Sequence, residues 1–314
     1  MVRVDKNYLI IGGSTKCGTT SLYNYFCDHP EICRSIHKET RYFWGDEYKL
    51  PVRKLKMDNT DSFDKLFSGC QPDQFLLEAT PDYLYSKRSA EAIRETLKGN
   101  VFIIFILRNP IDRLKSWYRH SILHGLIPSD SVFEDYISMQ IPEPEAGTPQ
   151  YLRAMEQGLY SKYLSHWYRI FGGGSVMVHY FENLLDEPQK VCGNICEQLG
   201  ISDNYFVDYE FRPHNVSYGV KSHYVNNLFR GLQRRSRPLL SKLNPQVRDS
   251  IKWVGRNVES IYTVLNQSNE RLITEDISDE RRVSLMQFYG PELQKLRELT
   301  GVSPPWPEYG FHEA

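Results

Sequence analysis

What the chain lacks narrows its class before any motif is read. Its six cysteines among 314 residues have no dense, regular spacing, which predicts a reduced protein rather than a disulfide scaffold. Cys192 and Cys196 stand one helical turn apart in an apolar stretch without further ligands, and read as packed thiols rather than half a metal site. No stretch approaches the roughly eighteen apolar residues of a membrane span. The apolar run in MVRVDKNYLIIGG is too short for the core of a signal peptide, so a cytoplasmic protein without a membrane anchor is expected. A formal net charge of -1 gives no global attraction to nucleic acid or to an anionic membrane. Any phosphate binding must therefore be local. Repeats and low-complexity segments are absent, and oligomeric state leaves no visible trace.

With 40% hydrophobic residues, the chain has enough apolar material for a large core. Four apolar runs read as core strands: Tyr8 to Ile11, Phe75 to Ala79, Val101 to Leu107 and Val176 to Tyr180. Helical patterns lie between and after them, over 21–26, 61–67, 89–97, 112–124, 158–171, 188–199, 246–265 and 291–299. This alternation predicts an α/β fold with a central parallel sheet flanked by helices and a helical C-terminal portion. One domain over 1–314 is expected. The proline-rich, acidic segment 127–150 reads as a lid-like excursion, and the basic segment 213–244 as a possible flap.

The most informative segment is YLIIGGSTKCGTT, residues 8–20. A buried strand runs into a turn of small and hydroxylated residues that opens a helix, where unpaired amides and the helix dipole favour an anion. Against the nucleotide pattern GxxxxGK[ST], Gly13 and Gly18 keep the spacing, but Thr19 stands where the lysine belongs and Lys16 lies inside the loop. No strand ends convincingly in the carboxylate that would hold magnesium, so a nucleotide kinase is the weaker reading.

A second cationic site begins at the end of VFIIFILRNPIDRLKSWYRH. Arg108 emerges at the carboxyl edge of the sheet, where ligands of open α/β folds bind, and its fork suits a phosphate. Ser116 follows on the next helix as a hydroxyl donor. Lys115 and Arg119 fit a solvated helix face, and Arg113 is open to the same reading. His120 and His124 have metal-binding spacing on a helix, but Ser121 replaces the glutamate of that motif. No metal is expected.

Together these segments resemble the sulfotransferases that use 3'-phosphoadenosine-5'-phosphosulfate (PAPS), with a likeness to their carbohydrate-modifying, heparan-sulfate-like and bacterial small-molecule branches. GGSTKCGTTSL is similar to the family's P-loop-like 5'-phosphosulfate loop, and RNPIDRLKSWY to its 3'-phosphate motif. HKETRYF, residues 37–43, resembles the KExxFF segment, whose glutamate matches Glu39. Glu78-Ala-Thr-Pro-Asp-Tyr83 is similar to a segment lining the acceptor cleft. Gly158 to Trp167, Tyr180-Phe-Glu182 and Phe211 to Ser217 resemble further family segments.

The resemblance implies transfer of a sulfuryl group from PAPS to a hydroxyl or amine of a small metabolite or carbohydrate-like acceptor, leaving 3'-phosphoadenosine 5'-phosphate (PAP). Lys16 and Glu39, with His37 as the rival base, are the expected catalytic groups. The cofactor is expected on Ser14, Thr15, Lys16, Cys17, Gly18, Thr19, Thr20, Arg108, Ser116 and Lys221. The acceptor is expected on Glu39, Tyr42, Phe43, Glu78, Asp82, Tyr83 and His120. A useful base needs a raised pKa, which burial or a like-charged neighbour would give Glu39. A PAP-binding scaffold without turnover remains an alternative.

Overall fold

The structure, a computed structural model, describes residues 6–45, 63–212, 219–220, 267–268 and 275–311. The chain divides into two compact units: Met1–Arg113, Ile141–Asn215 and Val283–Ala314 form the first, and Leu114–Gln140 with Val216–Arg282 the second.

The first unit is built on a five-stranded sheet. Its strands are β1 (Lys6–Gly13), β2 (Ile32–Arg34), β3 (Phe75–Ala79), β4 (Gly99–Leu107) and β5 (Val176–Tyr180), in the order β2-β3-β1-β4-β5. Every adjacent pair is parallel. Parallel strands need crossovers, and α1 (Thr19–Cys27), α2 (Lys87–Thr96), α3 (Pro110–Leu123) and α5 (Tyr160–Phe171) lie in them, while α6 (Phe181–Asp186) and α7 (Pro188–Leu199) follow β5. The short α4 (Phe133–Ser138) lies inside the predicted excursion, and α8 (Asp279–Thr300) near the C-terminus.

The central strands are apolar on both faces because both are covered. Leu9, Ile10 and Ile11 of β1 and Ile103 through Leu107 of β4 are fully buried. Each such Leu or Ile contributes about 1.5–3 kcal/mol relative to exposure. One face packs Leu22, Tyr25 and Phe26 of α1 with Val191, Cys192, Ile195 and Cys196 of α7, so the paired cysteines are core thiols.

All four predicted strands are present, and the sheet has a fifth, β2, that no apolar run predicts. It is a three-residue edge strand, Ile-Cys-Arg, too short to show periodicity. Its pairing with β3 also corrects the cysteine expectation. Cys33 lies opposite Leu76, so the turn leading into β3 comes alongside β2, and Cys33 and Cys70 form a disulfide with a Cα separation of 5.7 Å. Cys17, Cys27, Cys192 and Cys196 are free thiols.

The predicted helix over 291–299 is the second half of the 22-residue α8, with Pro291 inside it. Leu285, Tyr289, Leu293 and Leu296 are all buried, so one apolar stripe runs past the proline and tertiary packing overrides its penalty. Of the predicted helix over 61–67, residues 63–64 are helical and 65–67 continue as a tighter turn, while 61–62 fall outside the described residues. The predicted helix over 246–265 falls outside the described residues.

In the second unit, Tyr118 packs on Phe133 and Tyr136, and Arg119 pairs with Glu275 at 2.9 Å. Strands β6 (Gly219–Val220) and β7 (Gln267–Ser268) pair antiparallel. Among the described residues, no helix is long and apolar enough to cross a membrane.

Candidate active site

The loop after β1 leaves the sheet at its carboxyl edge. Gly18, at φ +82°, turns the chain into α1, whose first turn has no side-chain cap. The amides of Ser21 and Leu22 turn back onto the Gly18 carbonyl at 3.0 and 3.2 Å, so the helix starts tightly at this loop and its positive dipole end favours an anion there. Lys16 and Thr20 are half-buried on this turn. Lys16 itself has φ +68°, a left-handed conformation that a non-glycine residue adopts only under local constraint.

The constraint comes from below. Arg113, on the first turn of α3, is fully buried. Its Nε donates to the Ser14 hydroxyl at 3.3 Å and to the Thr15 carbonyl at 3.0 Å. One terminal nitrogen reaches the Ala154 carbonyl at 2.7 Å, and the other the Thr15 hydroxyl, the Tyr85 hydroxyl and the Gln157 side-chain oxygen Oε1 at 2.9 to 3.1 Å. Tyr85 completes the set at 2.6 Å from the Ser14 hydroxyl.

This arrangement corrects the cofactor-binding assignment of Ser14. Its amide donates to the Ile106 carbonyl at 2.8 Å, and its hydroxyl is committed to Tyr85 and Arg113. Cys17 is fully buried with its thiol toward the Thr15 carbonyl at 3.6 Å, and burial pushes that thiol up, so it packs the loop rather than acting as a nucleophile.

Arg108 leaves the carboxyl end of β4, the neighbour of β1. Its guanidinium lies over the Phe181 ring, 4.5 Å from the centroid. The same ring closes on the first loop, for a Cβ at Gly18 would stand 2.7 Å from it. One aromatic side chain thus touches both predicted phosphate sites. Asn109 fixes the exit from β4: its side-chain oxygen caps α3 through the amides of Ile111 and Asp112, while its own amide donates to Glu182 at 2.9 Å. Burial raises the Glu182 carboxyl.

Glu39 stands at the carboxyl end of β3, on the other side of β1. Its amide donates to the Ala79 carbonyl at 2.9 Å. Glu39 and Arg41 both adopt left-handed φ, +59° and +51°, which folds the segment around the carboxylate. One Glu39 oxygen meets Lys38 at 2.9 Å and the other Arg41 at 2.7 Å. The expectation of a raised pKa is therefore overturned: burial pushes Glu39 up, but the two cations outweigh it and hold the group below its ordinary value. His37 is exposed.

Glu78 lies beneath this segment, fully buried. One of its oxygens accepts from the Thr40 and Thr80 hydroxyls at 2.8 and 2.6 Å and from the Thr40 amide at 3.3 Å. Its second oxygen is buried without a hydrogen-bond partner among the described residues. Burial raises its pKa to about 7 against those hydrogen bonds.

The other predicted acceptor residues are placed unequally. Phe43 and Tyr83 are buried, with the Phe43 amide donating to the Tyr83 hydroxyl at 3.1 Å, so both are core rather than an open aromatic wall. Tyr42 is half-buried against Phe43. Asp82 is buried and accepts from Gln150 at 2.7 Å, with Arg41 at 3.8 Å. Ser116 and His120 lie on the part of α3 that belongs to the second unit, and the His120 ring sits 4.1 Å from that of His124. Among the described residues, no group of three or more His, Cys, Asp or Glu is placed to hold a metal. Lys221 and nearly all of 213–244 fall outside the described residues.

Sequence reasoning missed Arg113, Tyr85 and Gln157. The signal for Arg113 was its register: it shares a helix face with Pro110, Trp117 and Ser121, all buried, whereas a solvated arginine belongs on the opposite face.

The chain is 27% identical over 201 residues to human bifunctional heparan sulfate N-deacetylase/N-sulfotransferase 2, and 28% identical over 206 residues to its counterpart in Bos taurus. Each alignment covers 62% of this chain but 22% of the relative, so the chain spans about a fifth of those proteins. Among solved structures, a sulfotransferase from Alicyclobacillus acidocaldarius is similar over 97% of this chain and 99% of its own, with 19% identity and a TM-score of 0.64, a likeness in fold. Residues 6–226, well over half of the chain, match the sulfotransferase domain model, and the chain accordingly belongs to that family.

Proposed function

We propose that this protein transfers a sulfuryl group from PAPS to a hydroxyl or amine of a small metabolite or carbohydrate-like acceptor, giving PAP and a sulfated product. The observation that carries the reading is the placement of Glu39, Lys16 and Arg108 at the carboxyl ends of three adjacent strands, β3, β1 and β4, with the Phe181 ring touching both Gly18 and Arg108. Neighbouring strands are about 4.8 Å apart, so a ligand with two separated anionic groups can span the second and third positions and present its reactive end to the first.

The residues fit such a ligand. The uncapped start of α1, the half-buried Lys16 and the hydroxyls of Thr19 and Thr20 form a donor set for one anionic end. Arg108, half-buried with its guanidinium over the Phe181 ring, offers its fork to the other. Ser116 is the second donor that the family resemblance assigns there. When bound, PAPS supplies the activated sulfuryl group. Lys16 then neutralises charge that develops on the leaving side, which favours the transition state over the ground state.

Glu39 is the base in this reading. Ionised at neutral pH, it can accept the acceptor's proton, although Lys38 and Arg41 lower its basicity. An acceptor that draws either cation toward its own oxygens restores that basicity, which favours a polyhydroxylated or anionic acceptor over an apolar one. The likeness to heparan sulfate N-sulfotransferases supports the carbohydrate side of this proposal. A cytoplasmic location is a weaker proposal, since the Cys33–Cys70 disulfide suits oxidising surroundings.

The test is a PAPS-dependent screen of sugars and small metabolites with mass detection of a sulfonated product, scored for oxygen or nitrogen attachment. PAP binding with no product from any acceptor would favour a non-catalytic binding protein, and phosphate transfer from ATP a nucleotide kinase.

A further inference from the structure

We infer that Arg113 is a positioning residue for the 5' end of the cofactor, holding the loop after β1 in its anion-binding shape from beneath. The inference rests on the PAPS reading above and extends it to a residue that never touches the ligand.

The geometry is that of a clamp. Arg113 is fully buried, and its contacts to loop residues are to the Ser14 hydroxyl and to the carbonyl and hydroxyl of Thr15, the two positions just before Lys16. Its remaining donors are anchored outside the loop, on Tyr85, Ala154 and Gln157. Tyr85 reaches the same two loop hydroxyls, at 2.6 Å from Ser14 and 3.2 Å from Thr15. The planar fork of arginine reaches six acceptor atoms on five residues at once, and lysine, a point charge with three donors, cannot reproduce that pattern. A loop fixed at residues 14 and 15 in turn fixes the left-handed Lys16 that follows.

The chemistry of the acceptors is unusual for a buried cation. Every hydrogen-bond partner of Arg113 among the described residues is neutral: hydroxyls, backbone carbonyls and a side-chain amide. A buried charge ordinarily has a carboxylate partner. Here the guanidinium lies directly under a loop built to receive an anion, so the ligand's own 5' group becomes its nearest countercharge.

The experiment compares calorimetric binding of PAP and of adenosine 3'-phosphate, which lacks the 5' group, to the wild type, Arg113→Lys and Tyr85→Phe, with thermal melts as the folding control. Arg113→Lys keeps the charge and removes the fork; it is expected to weaken PAP about tenfold and to change adenosine 3'-phosphate less than twofold. Tyr85→Phe is expected to weaken PAP about threefold with the same selectivity. A merely structural role would weaken both ligands equally, and that result, or unchanged PAP binding in folded variants, overturns the inference. Should Arg113→Lys fail to fold, Tyr85→Phe decides alone. A wild type that binds no PAP would remove the PAPS reading itself, an outcome distinct from a wild type that binds PAP beside variants that bind it equally well.

Discussion

The guanidinium of Arg108 lies 4.5 Å from the ring centroid of Phe181, and that ring packs against Gly18 of the neighbouring loop. Two cationic sites far apart in sequence are thereby locked side by side. Replacing Phe181 with Ala should release Arg108 and weaken PAP about tenfold, since a desolvated cation–π contact contributes about 1–2 kcal/mol. Calorimetry on the variant checks this.

Gly18 supplies a second test of the same packing. Alanine there must adopt φ +82° and bring its Cβ within 2.7 Å of the Phe181 ring. Gly18→Ala should destabilise the protein by about 1–3 kcal/mol through strain and overlap. In the Phe181→Ala background the overlap term disappears, so the two substitutions should be non-additive in denaturant melts.

Glu39→Gln should lower kcat at least a hundredfold, within the range of general-base catalysis, while leaving PAP affinity within about twofold. Because its two ion pairs hold Glu39 below its ordinary value of 4.5, it contributes no limb to the pH profile of kcat/KM above that pH. The stability those pairs give is complete above the unfolded value and is lost only as pH falls through the lower folded value. Turnover by Glu39→Gln near the wild-type rate would remove the residue from this role.

Glu78 behaves oppositely. Its folded pKa, raised to about 7 by burial, exceeds the ordinary 4.5. The native state therefore binds the proton more tightly than the unfolded chain, and stability falls as pH rises between those values, by about 3 kcal/mol at most. Glu78→Gln should flatten that slope in melts taken from pH 4.5 to 7.5. An unchanged slope would assign it to another group.

Much of the frame was legible because it is written in long apolar runs and glycine turns. The β4 run VFIIFIL admits little but a strand covered on both faces, and the positions of Lys16 and Arg108 at strand ends followed. That Glu39 pairs with Lys38 or Arg41 was open from sequence adjacency, but that both cations close on it at once was not legible. In regular structure, neighbours at positions 38 and 41 do not converge on residue 39, but left-handed backbone at Glu39 and Arg41 brings both cations onto one carboxylate. Arg113 was missed for a related reason: a charged residue on a helix suggests solvent until the neutral acceptors that receive it are assembled from three distant segments. The Cys33–Cys70 disulfide depends on the pairing of β2 with β3, which local sequence does not encode.

That disulfide closes a separation of 37 residues, for which loop entropy gives about 3–4 kcal/mol. Chemical denaturation of oxidised protein and of the Cys33→Ser/Cys70→Ser variant should differ by roughly that amount, with PAP affinity unchanged.

The central claim, that one adenosine ligand is held by its two anionic ends at β1 and β4, is tested most directly by titrating the wild type with PAP, adenosine 5'-phosphate and adenosine 3'-phosphate in a calorimeter. PAP should bind at least tenfold more tightly than either monophosphate; equal affinities for all three, or no PAP binding, would contradict it.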